Sequence, residues 1–104
     1  MSTSPPPSGA QPLTRLDGSA VRVLIVDDEP VLADLLRMAL RYEGWEARTA
    51  DTGHGALREV RDFGPDVVVL DVMLPDLDGL SVLRRLRAQG EDVLVSVNVR
   101  ADRQ

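Results

Sequence analysis

Two short apolar runs, each closed by aspartate, limit the folds open to this chain. Val23, Leu24, Ile25 and Val26 run into Asp27 and Asp28, and Val67, Val68, Val69 and Leu70 run into Asp71. Runs this short and this rich in β-branched residues favour strands buried on both faces, the condition of a parallel sheet.

The segments between them carry helical signals. After a strand over 21–26, Asp28 or Glu29 can serve as N-cap and Pro30 suits a first helical turn. Leu32, Leu35, Leu36, Ala39 and Leu40 recur at helical spacing until Gly44, a natural stop. Residues 45–50 predict a second strand, anchored by Trp45. Asp51 and Thr52 can cap a second helix with the apolar face Ala56, Leu57, Val60 and Phe63, ended by Gly64-Pro65. The third strand spans 66–70. A loop with Pro75 and Gly79 leads to a third helix bearing Leu80, Leu83 and Leu86, which ends near Gly90, and 93–97 predict a fourth strand. Strand and helix alternate throughout. The predicted fold is therefore α/β, a doubly wound parallel sheet with helices on both faces.

Length and composition narrow the reading. A chain of 104 residues holds one domain. Residues 1–20 hold four of the seven prolines and several serines, so a disordered tail is expected there, with the folded domain over 21–104. Cysteine is absent, and His54 is the one histidine, so thiolate and multi-histidine metal sites are excluded. No apolar run reaches the ~20 residues of a membrane span, and no secretory signal is visible, which predicts a soluble, cytoplasmic protein. The net charge of −5 argues against nucleic-acid binding by this chain itself. All twelve basic residues are arginine.

Ligands of open parallel sheets bind beyond the carboxyl ends of the strands. If the first and third strands are neighbours, Asp27, Asp28 and Asp71 converge there. Packed carboxylates repel one another unless protons or a cation occupy the site. A hard divalent cation such as Mg²⁺ suits such oxygen donors. A lone aspartate at a strand end is ordinary turn chemistry; a pair after one strand with a third after another is less easily explained so.

The run from Val23 to Pro30 resembles the first strand and acidic pair of bacterial response-regulator receiver domains. The run from Asp66 through Asp71 to Leu74, Pro75, Asp78 and Gly79 resembles their phosphoacceptor strand and loop. The resemblance covers about residues 21–100, and its wording is similar to the OmpR/PhoB class, which carries a C-terminal winged-helix DNA-binding domain. It implies a CheY-like, flavodoxin-like fold. It implies that Asp71 accepts a phosphoryl group from a sensor histidine kinase. It further implies that Asp28 ligates Mg²⁺ directly, Asp27 acts through water, and Met73 offers its backbone carbonyl, with Pro75 and Gly79 shaping the loop. The protein would then be a phosphoryl acceptor that assists its own modification rather than a turnover enzyme, and the complete protein a DNA-binding transcriptional regulator.

Departures from the family pattern are also visible. Asn98 falls where the family places a Ser or Thr; Ser96 lies two residues early. No lysine exists to pair with the phosphoryl group. The last strand–helix unit of the fold is missing, which leaves the fourth strand as an open edge and implies either a truncated product or a homodimer or other partner completing the sheet. An alternative reading follows: a degenerate or fragmentary pseudo-receiver acting only through protein–protein contacts. A haloacid-dehalogenase-type hydrolase is a third class, but Asp27 is followed by Glu29 and Val31 where that motif needs an acid and then Thr. His54 reads as a solvent-facing histidine, Arg84, Arg85 and Arg87 as a solvated helix face, and Asp76 and Asp78 as loop and cap residues.

Overall fold

The computed structural model describes residues 14–71, 74–89 and 93–98. Four strands and three helices alternate: β1 (Arg22–Val26), α1 (Pro30–Tyr42), β2 (Glu46–Ala50), α2 (Gly53–Phe63), β3 (Val67–Asp71), α3 (Gly79–Ala88) and β4 (Leu94–Asn98). The strands form one parallel sheet in the order β2-β1-β3-β4. The chain moves outward from β1 to β2, then crosses back past β1 to β3. The strand order therefore reverses between β1 and β3, the point at which such sheets leave a crevice at their carboxyl ends.

Alternation along the strands sorts side chains onto two faces. Leu24, Val26, Val68 and Leu70 pack with Ala56 and Val60 of α2 and Val82 and Leu86 of α3. On the other face Val23 and Ile25 pack with Ala33 of α1, flanked by Leu40, Trp45, Val67 and Val69. Burying each large aliphatic side chain contributes about 1.5–3 kcal/mol, and the larger set lies under α2 and α3. Trp45 sits at the edge of the smaller cluster, the anchoring role expected of it.

Helix ends follow their local chemistry. Thr52 caps α2 by accepting the Gly55 amide at 2.9 Å, and Gly64 closes it with φ of 67°. Asp78 caps α3 by accepting the Ser81 amide at 2.7 Å. Glu29 is the N-cap residue of α1, with Pro30 in the first turn.

Three expectations need correction. The tail expected over 1–20 does not extend to residue 20: Thr14 and Ala20 form an antiparallel bridge around a turn at Asp17 and Gly18, and Arg15 pairs with Asp66 at 3.3 Å. Residues 1–13 lie outside the described residues. Of the apolar residues that recur along α1, Leu40 packs against the core and Leu32 is half-buried, while Leu35 and Leu36 face outward. Ala33 is the buried residue, and Leu35 is 62% exposed. Among the described residues, α1 is the helix on its side of the sheet, and small Ala33 lets its backbone come close while Leu35 and Leu36 meet no second helix. Likewise α3 buries Val82 and Leu86, while Leu80 is 50% exposed. Among the described residues, β4 pairs with β3 alone.

Candidate functional site

Residues that end β1 and β3 meet at the carboxyl edge of the sheet. Strand register aligns Val26 with Leu70, so the chain leaves both strands at the same level. Asp27, Asp28 and Asp71 each bring a carboxylate oxygen to within 4.8 Å of the others. Asp71 is 2% exposed and Asp27 8%, with Asp28 half-buried. Burial strips water from carboxylates whose mutual repulsion is then poorly screened. Such a group calls for positive charge.

Local folding fixes the acidic pair. The Asp27 amide donates to the Ala50 carbonyl at 3.0 Å, which ties the end of β1 to the end of β2. The Asp27 Oδ1 atom accepts the Glu29 amide at 2.9 Å, an Asx turn that bends the chain into α1. Asp28 is carried between these two anchors. The three oxygen donors match a hard divalent cation, which takes carboxylate and water oxygens in near-octahedral array.

The remaining expected residues fall as follows. Asn98 is the register partner of Asp71 on β4, whereas Ser96 is the partner of Val69, further down the strand. Pro75 is exposed in the β3–α3 loop, and Gly79 is buried at the start of α3. Met73 lies outside the described residues. Arg84, Arg85 and Arg87 lie on the exposed face of α3.

Sequence reasoning missed one arrangement at this end of the sheet. Asp76, expected to serve its own loop, reaches the first turn of α2. Its Oδ1 accepts the Gly53 amide at 2.7 Å and the Leu77 amide at 2.8 Å. Its Oδ2 accepts the His54 amide at 3.0 Å and lies 2.5 Å from His54 Nδ1. His54 is therefore paired, though its ring stays half-exposed. Partial burial works to raise the Asp76 carboxyl, but the amides of His54 and Gly53 and the imidazole outweigh it and hold the group well below the ordinary carboxylate range. The two partners are 22 residues apart in sequence, so no local pattern announces them.

Comparison with known proteins places this geometry. The response regulator receiver domain family matches residues 23–102. The transcriptional regulatory protein TrcR of Mycobacterium tuberculosis is 58% identical over 73 residues, covering 70% of this chain and 28% of TrcR. The DNA-binding response regulator MtrA of Mycolicibacterium smegmatis is 40% identical over 87 residues, covering 84% of this chain and 38% of MtrA. The chain thus spans well under half the length of either relative. Among solved structures, the receiver domain of Francisella response regulator 1452 superposes with a TM-score of 0.73 at 31% identity, over 81% of this chain and 69% of that one. The response regulator TrrA of Thermotoga maritima, solved in complex with Mg²⁺ and BeF, superposes with a TM-score of 0.70 at 35% identity, over 76% of this chain and 69% of that one. No helix among the described residues is long and apolar enough to cross a membrane. Sheet order, acidic crevice and matched sequence agree, and this chain belongs to the family of receiver domains of two-component response regulators.

Proposed function

We propose that this chain accepts a phosphoryl group on Asp71 from a phosphohistidine of a sensor kinase, with Mg²⁺ held by Asp27, Asp28, Asp71 and the Met73 carbonyl. The observation that carries the reading is the convergence of three carboxylate oxygens within 4.8 Å at the reversal point of the sheet. A cation bound there supplies charge neutralisation between an anionic nucleophile and an anionic donor. An oxygen of the Asp71 carboxylate attacks phosphorus, the P–N bond of the phosphohistidine breaks with its electron pair left on nitrogen, and the imidazole, already protonated at its other ring nitrogen, leaves neutral. The product is an acyl phosphate on Asp71. Asp27 and Asp28 hold the cation, with Asp27 oriented by the Glu29 amide. Asn98 is the register partner of Asp71, and asparagine carries an amide able to donate a hydrogen bond.

An apolar stripe suits the docking of a helical kinase segment. Val31, Leu35, Met38 and Tyr42 recur at intervals of four and three along α1, and all are exposed. Val31, Leu35 and Met38 line a groove with Asp27, so a helix laid there reaches the acidic crevice. The reading extends to a cytoplasmic protein whose complete form joins this domain to a DNA-binding output, as the names of its relatives suggest for them.

Intact mass spectrometry tests the proposal. The chain is incubated with acetyl phosphate, with and without Mg²⁺, beside an Asp71→Asn variant. One added phosphoryl group that needs both Mg²⁺ and Asp71 is expected. No addition to a chain shown to be folded by circular dichroism favours the second reading, a pseudo-receiver acting through protein contacts. The amide rather than hydroxyl at position 98 favours that second reading.

A further inference from the structure

The β3–α3 loop begins at the candidate phosphoacceptor and ends at the cap of α3. Within its described residues 74–78, Asp76 anchors it to another element, accepting bonds from both Gly53 and His54 of α2. The first amides of a helix have no partners within it, and the positive end of the helix dipole favours a carboxylate there. Thr52 satisfies the Gly55 amide, while Gly53 and His54 are satisfied from across the crevice by Asp76. An ionised carboxylate accepts, so the proton of the contact lies on His54 Nδ1.

Packing supports the same contact. A Cβ on Gly53 would lie 2.7 Å from the Leu77 Cβ, nearer than such atoms approach, and Gly53 is buried. The loop and the first turn of α2 thus meet at a spacing only glycine permits. Leu74 and Leu77 pack against the core under α2 and α3, which fixes the apolar side of the same loop.

We propose that the Asp76–His54 pair is a latch that holds the β3–α3 loop against α2 and so positions the Asp71 end of β3 for cation binding and phosphoryl acceptance. The proposal rests on the reading of Asp71 as phosphoacceptor. Asp76 and His54 are positioning residues: they act on the acidic crevice through the loop.

Four variants of the chain test it: His54→Ala, Asp76→Ala, the double variant, and His54→Asn, whose side-chain amide can place a donor where Nδ1 stands. The first readout is amide hydrogen exchange at Gly53 and Leu77 without metal. The second is Mg²⁺ affinity by isothermal titration calorimetry. The third is the rate of Asp71 phosphorylation by acetyl phosphate at saturating Mg²⁺. Circular dichroism and urea unfolding identify conditions in which each variant is folded. Loss of the latch is expected to speed exchange and weaken Mg²⁺ about tenfold, within the usual range of coupling between two separate sites. The phosphorylation rate should fall similarly, the double variant should be no worse than the poorer single one, and His54→Asn should recover most of the loss. A purely structural contact would move the urea midpoint alone. Unchanged Mg²⁺ affinity and rate in folded His54→Ala and Asp76→Ala overturn the latch, as does a His54→Asn variant no better than His54→Ala. A wild-type chain that binds Mg²⁺ in a latch-dependent way but takes no phosphoryl group keeps the latch and overturns the reading of Asp71. A wild-type chain that does neither overturns both.

Discussion

Asp71 and Asn98 are register partners at the carboxyl ends of neighbouring parallel strands. The residue paired with the proposed phosphoacceptor is therefore an asparagine where the family resemblance calls for a hydroxyl. An amide nitrogen still donates a hydrogen bond, and one fixed donor at a developing oxyanion accounts for a large share of stabilisation in group transfer. Asn98→Ala is expected to lower the phosphorylation rate of Asp71 by about tenfold or more, while Asn98→Thr keeps it within a few-fold. Quantifying the phosphorylated fraction by intact mass over time checks both. Equal rates in all three proteins would remove Asn98 from the site.

Gly53→Ala tests the close approach of α2 to the loop. Alanine is the better helix former by roughly 1 kcal/mol at an interior position. Here its methyl would meet the Leu77 Cβ at 2.7 Å and Val82 Cγ2 at 3.0 Å. Overpacking of this kind costs about 1–3 kcal/mol, so a net loss of stability is expected in urea unfolding. A gain would show that the loop gives way freely.

Much of this arrangement was legible in the sequence, and the exceptions have physical causes. Strands ending at Asp27 and Asp71 were readable because burial on both faces demands unbroken apolar runs. The Thr52 and Asp78 caps were readable because a cap and its amide lie three residues apart. Asp76 was misjudged because its acceptor geometry is completed by residues 22 and 23 positions away. The exposure of Leu35 was not legible because periodicity reveals an apolar stripe but not which neighbour covers it; Ala33 meets the sheet with Leu40 beside it, and Leu35 lies outside.

Acid should weaken the fold through Asp76. Folding lowers this carboxyl, so the unfolded chain binds its proton more tightly than the folded one. The contribution is complete above the ordinary carboxylate pKa of about 4 and drains away as pH falls below it. Asp78, lowered by the Ser81 amide, acts in the same direction. Urea midpoints measured at successive pH values from neutral downward are expected to fall on the acid side. Asp76→Asn should be less stable near neutrality and show a shallower acid slope. A wild-type slope in that variant would mean that the pairing with α2 adds nothing to stability.

Paired leucine truncations separate the two faces of the sheet. Leu70 is fully buried in β3 among residues of α2 and α3, and Leu35 projects from α1 without cover. Removing a buried leucine side chain costs its transfer free energy and leaves a cavity, about 2–5 kcal/mol in all. Removing an exposed one changes stability by no more than ~0.5 kcal/mol. Leu70→Ala is therefore expected to shift the urea midpoint strongly or prevent folding, while Leu35→Ala unfolds like the wild type. Because Leu35 belongs to the stripe beside the acidic crevice, its loss should leave acetyl phosphate labelling of Asp71 unchanged and slow transfer from a kinase that docks on α1. A Leu35→Ala variant destabilised as much as Leu70→Ala would mean that α1 turns this face inward in solution, and the stripe would then be core rather than docking surface.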